Sequence, residues 1–181
     1  METLMFIDFE TYSSVNLRDC GAYPYTASPD FAPLIMTYRY GVDGETKIAQ
    51  GEEQIKWALR GLNEREHVTF VAHNANFERL VLSRIFNYAP GTFIPPERFI
   101  DTMAMGRSLG FPGSLADLSR ALHVEEKDSA GTALIAMFCV PNKKTGRAAI
   151  PEERPEEWAS FCRYAIQDVD SMVEVYTELT T

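Results

Sequence analysis

The sequence predicts an α/β fold, a mixed central β-sheet flanked by helices, and three observations carry that expectation. Segments with the two-residue alternation of strands interchange along the chain with segments of 3.6-residue helical spacing. Early strand-like segments are joined by a tight turn and must pair antiparallel, while a later one runs straight into a helix, as parallel crossovers do. With 181 residues, 45% of them hydrophobic, the chain can bury one sizeable core and is short for two, so residues 1–181 are expected to form a single domain.

Leu4 to Glu10 reads as the first strand, with Met5, Ile7 and Phe9 on one face and Phe6, Asp8 and Glu10 on the other. A stretch punctuated by Gly, Pro and Ser follows, from Thr11 to Pro33. Leu34 to Val42 is a second strand that turns at Asp43-Gly44 into a short third, Thr46 to Gln50. Glu52 to Leu62 has helical spacing through Ile55, Leu59 and Leu62, and His67 to Ala72 is a strand that ends at Asn74. Asn74 is placed to cap a helix from about Ala75 to Phe86, whose apolar side is Phe77, Leu80, Val81 and Ile85.

Asp101 and Ser114 are further cap candidates for short helices, jointed by Pro95-Pro96 and by Gly110 to Gly113. Ala130 to Phe138 reads as a helix, Pro141 to Pro155 as a polar loop carrying Lys143, Lys144, Arg147 and Arg154, and Glu156 to Leu179 as the last helix. Nothing repeats internally.

Composition excludes several classes of protein. No apolar run reaches the roughly 18 residues of a membrane span, and the first ten residues carry carboxylates where a signal peptide carries lysines. The expectation is a soluble, cytoplasmic protein with no membrane partner. Cys20, Cys139 and Cys162 are odd in number and lack CxxC spacing, which points to reduced thiols and neither a zinc site nor a disulfide framework. The net charge of -9 argues against nonspecific wrapping of DNA. It does not exclude nucleic acid altogether, because carboxylates loaded with divalent cations attract phosphate.

Three acidic segments stand out. Asp8-Phe9-Glu10 sets two carboxylates on one face of a strand, where both can reach one ion. The plain alternative is a strand end with two solvated acids, but the run Leu4-Met5-Phe6-Ile7 before them belongs inside a sheet, and acids held close there repel unless a cation neutralises them. In Ala72-His73-Asn74-Ala75-Asn76-Phe77-Glu78 the acid falls in the first turn of a helix, where the helix dipole alone would favour it. His73 reads as structural or close to substrate. Tyr164-Ala165-Ile166-Gln167-Asp168 stacks a phenol and a carboxylate at i, i+4 on one helical face, a pattern that by itself also suits a solvated surface.

Taken in order, the three segments resemble the motifs of the DnaQ-like (DEDD) 3'-5' exonucleases: an acid-x-Glu strand, an Asn-x-x-Phe-acid segment and a Tyr-x-x-x-Asp helix. The resemblance covers nearly the whole chain and implies a ribonuclease H-like fold, in the subgroup with Tyr at position 164. Most members have Asp where this sequence has Glu78. Asp8-Phe9-Glu10-Thr11-Tyr12-Ser13, Phe99-Ile100-Asp101-Thr102, Lys127-Asp128-Ser129-Ala130-Gly131 ahead of Leu134-Ile135, and Tyr164 to Val169 are similar to the N-terminal proofreading domain of bacteriophage family A DNA polymerases. That likeness implies either an excised proofreading domain or a stand-alone relative, working in a bacterial host's cytoplasm if phage-encoded.

What the resemblance implies for the site is specific. Two divalent cations, Mg²⁺ or Mn²⁺, would be held by Asp8, Glu10, Glu78 and Asp168. Asp8 would bridge both, Glu10 and Asp168 would complete the nucleophile-side ion, and Glu78 would hold the leaving-group ion, directly or through water. Tyr164 would orient the attacking water.

Phe9, Thr11, His73, Asn74 and Phe77 are candidates for contacts to the terminal nucleotide of a single-stranded or frayed DNA 3' end, although apolar aromatics such as Phe9 and Phe77 are by default core. Asp101 is a fifth candidate acid, read more readily as a helix cap; Asp170, two residues from Asp168 on a helix, faces elsewhere. Lys143, Lys144 and Arg147 are candidates for the DNA backbone or for a solvated loop. An exoribonuclease on the same fold and a non-catalytic nucleic-acid-binding module are the competing readings, the second disfavoured by the intact acid set.

Overall fold

The run Leu4-Met5-Phe6-Ile7 is apolar on both faces, as a strand covered on both sides must be. It lies in β1 (Thr3–Tyr12), the middle strand of a five-stranded sheet. The computed structural model describes residues 3–65, 67–124 and 131–181.

β2 (Ala32–Tyr40) pairs antiparallel with β1, and β3 (Lys47–Gln50) antiparallel with β2. On the other side of β1, β4 (Val68–Ala72) and β5 (Phe99–Asp101) are parallel, giving the order β3-β2-β1-β4-β5. The predicted mixed sheet is therefore present. β5, only three residues long, was not anticipated as a strand.

The period of two sorts the core. Met5, Ile7 and Phe9, with Met36, Phe70 and Ala72, face a cluster that includes Ile55 from α3 (Gly51–Ala58) and Val81, Leu82 and Ile85 from α4 (Asn76–Ile85). Phe6 and Val71 face the other way, onto Val169, Met172 and Val173 of α8 (Pro155–Thr180). α8 is also packed through Phe161 and Ala165 against Ile35 of β2 and Phe138 of α7 (Gly131–Phe138). Each large apolar side chain fully buried this way stabilises the fold by about 1.5–3 kcal/mol. α8 is thereby fixed across the face of β1 that carries Asp8 and Glu10.

Several local expectations are met and some are corrected. Asp101 and Ser114 cap α5 (Thr102–Ser108) and α6 (Leu115–Ala121) with their side chains. Asn74 is not a side-chain cap: Ala75 occupies that position, and Asn74 takes a left-handed turn at φ 66°. Asn tolerates that conformation, and the turn sends its N–H to Asp101. The helix expected to run to Leu62 stops at Ala58, yet Leu59 and Leu62 still reach the core from the following turn, where Gly61 has φ 75°.

The stretch after β1 holds two short helices, α1 (Leu17–Cys20) and α2 (Ala22–Ala27). Of the predicted helix start at Ala130 and the segment Lys127 to Gly131, only Gly131 lies within the described residues. Among the described residues no helix is long and apolar enough to cross a membrane. Cys20, Cys139 and Cys162 are all unbridged.

Candidate active site

The site is assembled from two elements far apart in sequence. Asp8 and Glu10 leave β1 on the face covered by α8, and Asp168 arrives from α8; one carboxylate oxygen from each lies within 4.8 Å of the others. A register shift between Glu10 and Thr11 ends the regular pairing with β2 at this point. Such bulges re-aim side chains beside functional sites. Here Glu10 stays with the acids, while the Thr11 hydroxyl meets the Tyr25 hydroxyl of α2 at 3.0 Å.

Placement of Asp168 has a polar determinant too. Thr37, opposite Asp8 in the β1–β2 register, is fully buried and donates its hydroxyl to the Ala165 carbonyl at 3.0 Å, one turn before Asp168. Tyr164, also one turn before Asp168, hydrogen-bonds to that carboxylate through its phenol. Burial, first, and then the charges of Asp168 and Glu10 push the phenol far above its ordinary pKa. These surroundings favour the neutral phenol.

Glu78, in the first turn of α4, lies outside the close trio but within its field. It is 3% exposed, and burial first, then Asp8, Asp101 and Glu10, raise its pKa well above the carboxylate range. One oxygen, Oε2, is buried with no hydrogen-bond partner among the described residues. The magnitudes decide between its two readings. A helix dipole returns about 0.3–1 kcal/mol to such an acid, whereas burying a polar group unpaired costs about 1–3 kcal/mol even on mutational scales. The dipole alone does not account for Glu78 in this place.

The donor set is all oxygen. Cys139 packs near Glu10, but burial and that charge push its thiol up, so it remains neutral and does not join as a thiolate.

Other predicted residues fall into place around this centre. Asp101 stands outside the trio, its Oδ1 accepting the N–H groups of Asn74 (2.9 Å), Met103 (2.9 Å) and Ala104 (3.4 Å), which makes it a cap and a tether for the turn before α4. His73 commits both ring nitrogens to the protein, Nδ1 to the Thr102 hydroxyl and Nε2 to the Gly113 carbonyl, each at 3.0 Å. Phe9 is buried in the core. Phe77 is half-buried, its ring 6.0 Å from that of Tyr25. Asn74 is exposed.

Lys143 and Lys144 are exposed, whereas Arg147 is held by Glu153 in a two-pronged ion pair at 2.9 and 2.6 Å. Asp170 turns away as expected, toward Arg39 and Thr46. A cavity of about 990 Å³ between α2, the end of α4 and the loop after it is lined by none of these acids. Converging carboxylates, and not cavity size, mark the site.

Sequence reasoning missed Tyr25 and Thr37. Thr37 had a readable signal, a polar residue alternating onto a face with Ile35 directly after the apolar run Leu34-Ile35-Met36; Tyr25 had none.

No family profile matches the chain. It is 39% identical over 179 residues to a DNA polymerase of Bacillus phage SP02, which covers 94% of this chain and 26% of that protein. The chain thus spans about a quarter of the length of this curated relative. Among solved structures it is similar to exonuclease I complexed with an inhibitor (TM-score 0.51, 14% identity, 71% of this chain and 38% of the other). It is also similar to E. coli exonuclease I with a bound oligonucleotide (TM-score 0.50, 12% identity, 88% and 42%). At these identities the likeness is one of fold. The resemblance to phage DNA polymerases is borne out by sequence, and the expected mixed-sheet α/β architecture by the likeness of fold to exonuclease I.

Proposed function

We propose that this chain is a metal-dependent 3'-5' exonuclease that hydrolyses DNA from its 3' end to nucleoside monophosphates, proofreading for a DNA polymerase to which it is fused or bound. The observation that carries this reading is the convergence of Asp8, Glu10 and Asp168 within 4.8 Å, with the buried, half-unpartnered carboxylate of Glu78 beside them. An all-oxygen donor set suits two hard divalent cations, Mg²⁺ or Mn²⁺, with Asp8, Glu10 and Asp168 holding them and Glu78 supporting the second. Bound there, such cations acidify the attacking water and offset the charge that builds on the phosphate.

The chain's own residues supply the rest. Because its one O–H is given to Asp168, Tyr164 would orient the water by accepting from it through the phenol oxygen, and not as a base. That bond to Asp168 fixes where the phenol oxygen points. Thr11 and Phe77 both meet Tyr25, which supports a place for the terminal nucleotide between β1 and α4, with Phe9, Asn74 and His73 framing it from behind. Lys143 and Lys144 are available to the DNA backbone; Arg147 would first have to leave Glu153.

End-labelled single-stranded DNA, mismatched duplex and RNA, each with Mg²⁺ or Mn²⁺, test the proposal. The expected result is stepwise shortening of DNA from the 3' end, faster on the mismatched terminus and abolished by a chelator. RNA as the preferred substrate would reassign the chain as an exoribonuclease, and binding without cleavage as a non-catalytic module.

A further inference from the structure

Gly131 is the first residue of α7 and is buried, and a helical position does not itself call for glycine. Glycine is also a poor helix former, so the chain tolerates it there at a cost. Space explains it. A Cβ at residue 131 would stand 2.0 Å from Cε2 and 2.3 Å from Cζ of Tyr164, and Cζ is the carbon that bears the hydroxyl.

Neither side of this contact can easily give way. The Tyr164 ring is stacked on Phe161 (6.2 Å, 19°) inside a cluster with Leu134 and Phe138. α7 is held to α8 at its far end, where Phe138 stacks on Phe161 (5.5 Å, 12°) and meets the Trp158 edge (5.0 Å). Interiors packed this way transmit a displacement instead of absorbing it.

The geometry points to Gly131 as a positioning residue for the site: its bare backbone lets the Tyr164 ring lie where its hydroxyl reaches Asp168. This rests on Tyr164 being the residue that orients the water. A methyl at 131 pushes the ring, and with it the hydroxyl, off that position. A misplacement of about 1 Å at a reacting centre costs up to about 100-fold in rate.

The test compares wild type, Gly131→Ala, Tyr164→Phe and the Gly131→Ala/Tyr164→Phe double variant, by single-turnover cleavage of end-labelled DNA across a Mn²⁺ titration up to saturation. Gly131→Ala is expected to slow cleavage toward the rate of Tyr164→Phe, with little change in the Mn²⁺ midpoint. In the Tyr164→Phe background it should slow cleavage no further. The ring is read directly from the ¹⁹F signal of 3-fluorotyrosine at position 164, which Gly131→Ala should shift.

If Tyr164→Phe slows cleavage and Gly131→Ala does not, or if the ¹⁹F signal stays in place, the inference fails and the reading of Tyr164 survives. If Tyr164→Phe itself leaves the rate unchanged, that reading fails and Gly131 loses its positioning role with it. Should Gly131→Ala not fold, melting is compared in the Tyr164→Ala background. There the destabilisation must largely disappear, and its persistence in full overturns the contact.

Discussion

Replacing Asp101 separates a structural acid from a metal ligand. Its Oδ1 accepts three N–H groups, two at the start of α5 and one from Asn74, in the turn that feeds Glu78. Losing an N-cap side chain costs about 0.5–2 kcal/mol, and losing a hydrogen bond to a charged acceptor about 1.5–3 kcal/mol, so Asp101→Ala should destabilise the fold by about 2–5 kcal/mol. Because Asp101 is half-buried, the lower half of that range is expected. Asn caps helices as well as Asp does, and Asp101→Asn keeps an acceptor oxygen in place; it should cost about 1 kcal/mol or less.

The functional outcomes diverge in the same direction. Asp101→Asn should cleave within about threefold of wild type, since a cap needs an oxygen and not a charge. Removing the charge also makes Glu78 easier to ionise, so metal binding should not weaken. Asp101→Ala loosens the Asn74 turn and should raise the Mn²⁺ needed for half-maximal rate. Urea unfolding gives the stabilities, and single-turnover cleavage across a Mn²⁺ titration gives the rest. A fully stable Asp101→Asn protein that had lost cleavage would refute this reasoning and make Asp101 a ligand.

Asp8→Ala should leave a folded protein with nearly all nuclease activity gone, checked by circular dichroism beside the DNA assay; substantial residual Mg²⁺-dependent cleavage would remove Asp8 from the centre. Tyr164→Phe should keep the metal midpoint and lower the single-turnover rate, and an unchanged rate would leave Tyr164 a packing residue. Glu78 predicts a pH dependence in metal-free protein. Its folded-state pKa lies above its unfolded value, so stability is greatest in the acid range and falls as pH rises through the folded value, by at most about 1.4 kcal/mol per pH unit. Glu78→Gln should flatten that slope, read as urea midpoint against pH, while lowering cleavage at limiting metal; parallel slopes in the two proteins would show that Glu78 does not carry the effect.

Periodicity made the two elements that matter most readable. β1 combines an apolar run with two acids on one face, and α8 is long enough for its stripe to be unambiguous. β5 was hidden because three residues are too few for any period to show. Asn74 misled because the residue that caps helices with its side chain is also the one that tolerates left-handed turns; only the position of Asp101, 27 residues on, decides between them. The contact of Thr37 with Ala165 spans 128 residues, and the burial of Glu78 depends on the packed sheet, so neither is written in local sequence.

The acids of the centre are separated by most of the chain: Asp8 and Glu10 come from its first strand and Asp168 from its last helix. Closing so long a loop is entropically slow, and contacts of this separation form late in folding. A growing chain cannot bring Asp168 or Tyr164 to β1 until residue 168 has been made and α8 has docked on Phe6 and Val71. On the proposed function, hydrolytic capacity is withheld from every partly made chain that lacks α8, and local release of α8 would disarm the site before the rest of the sheet came apart.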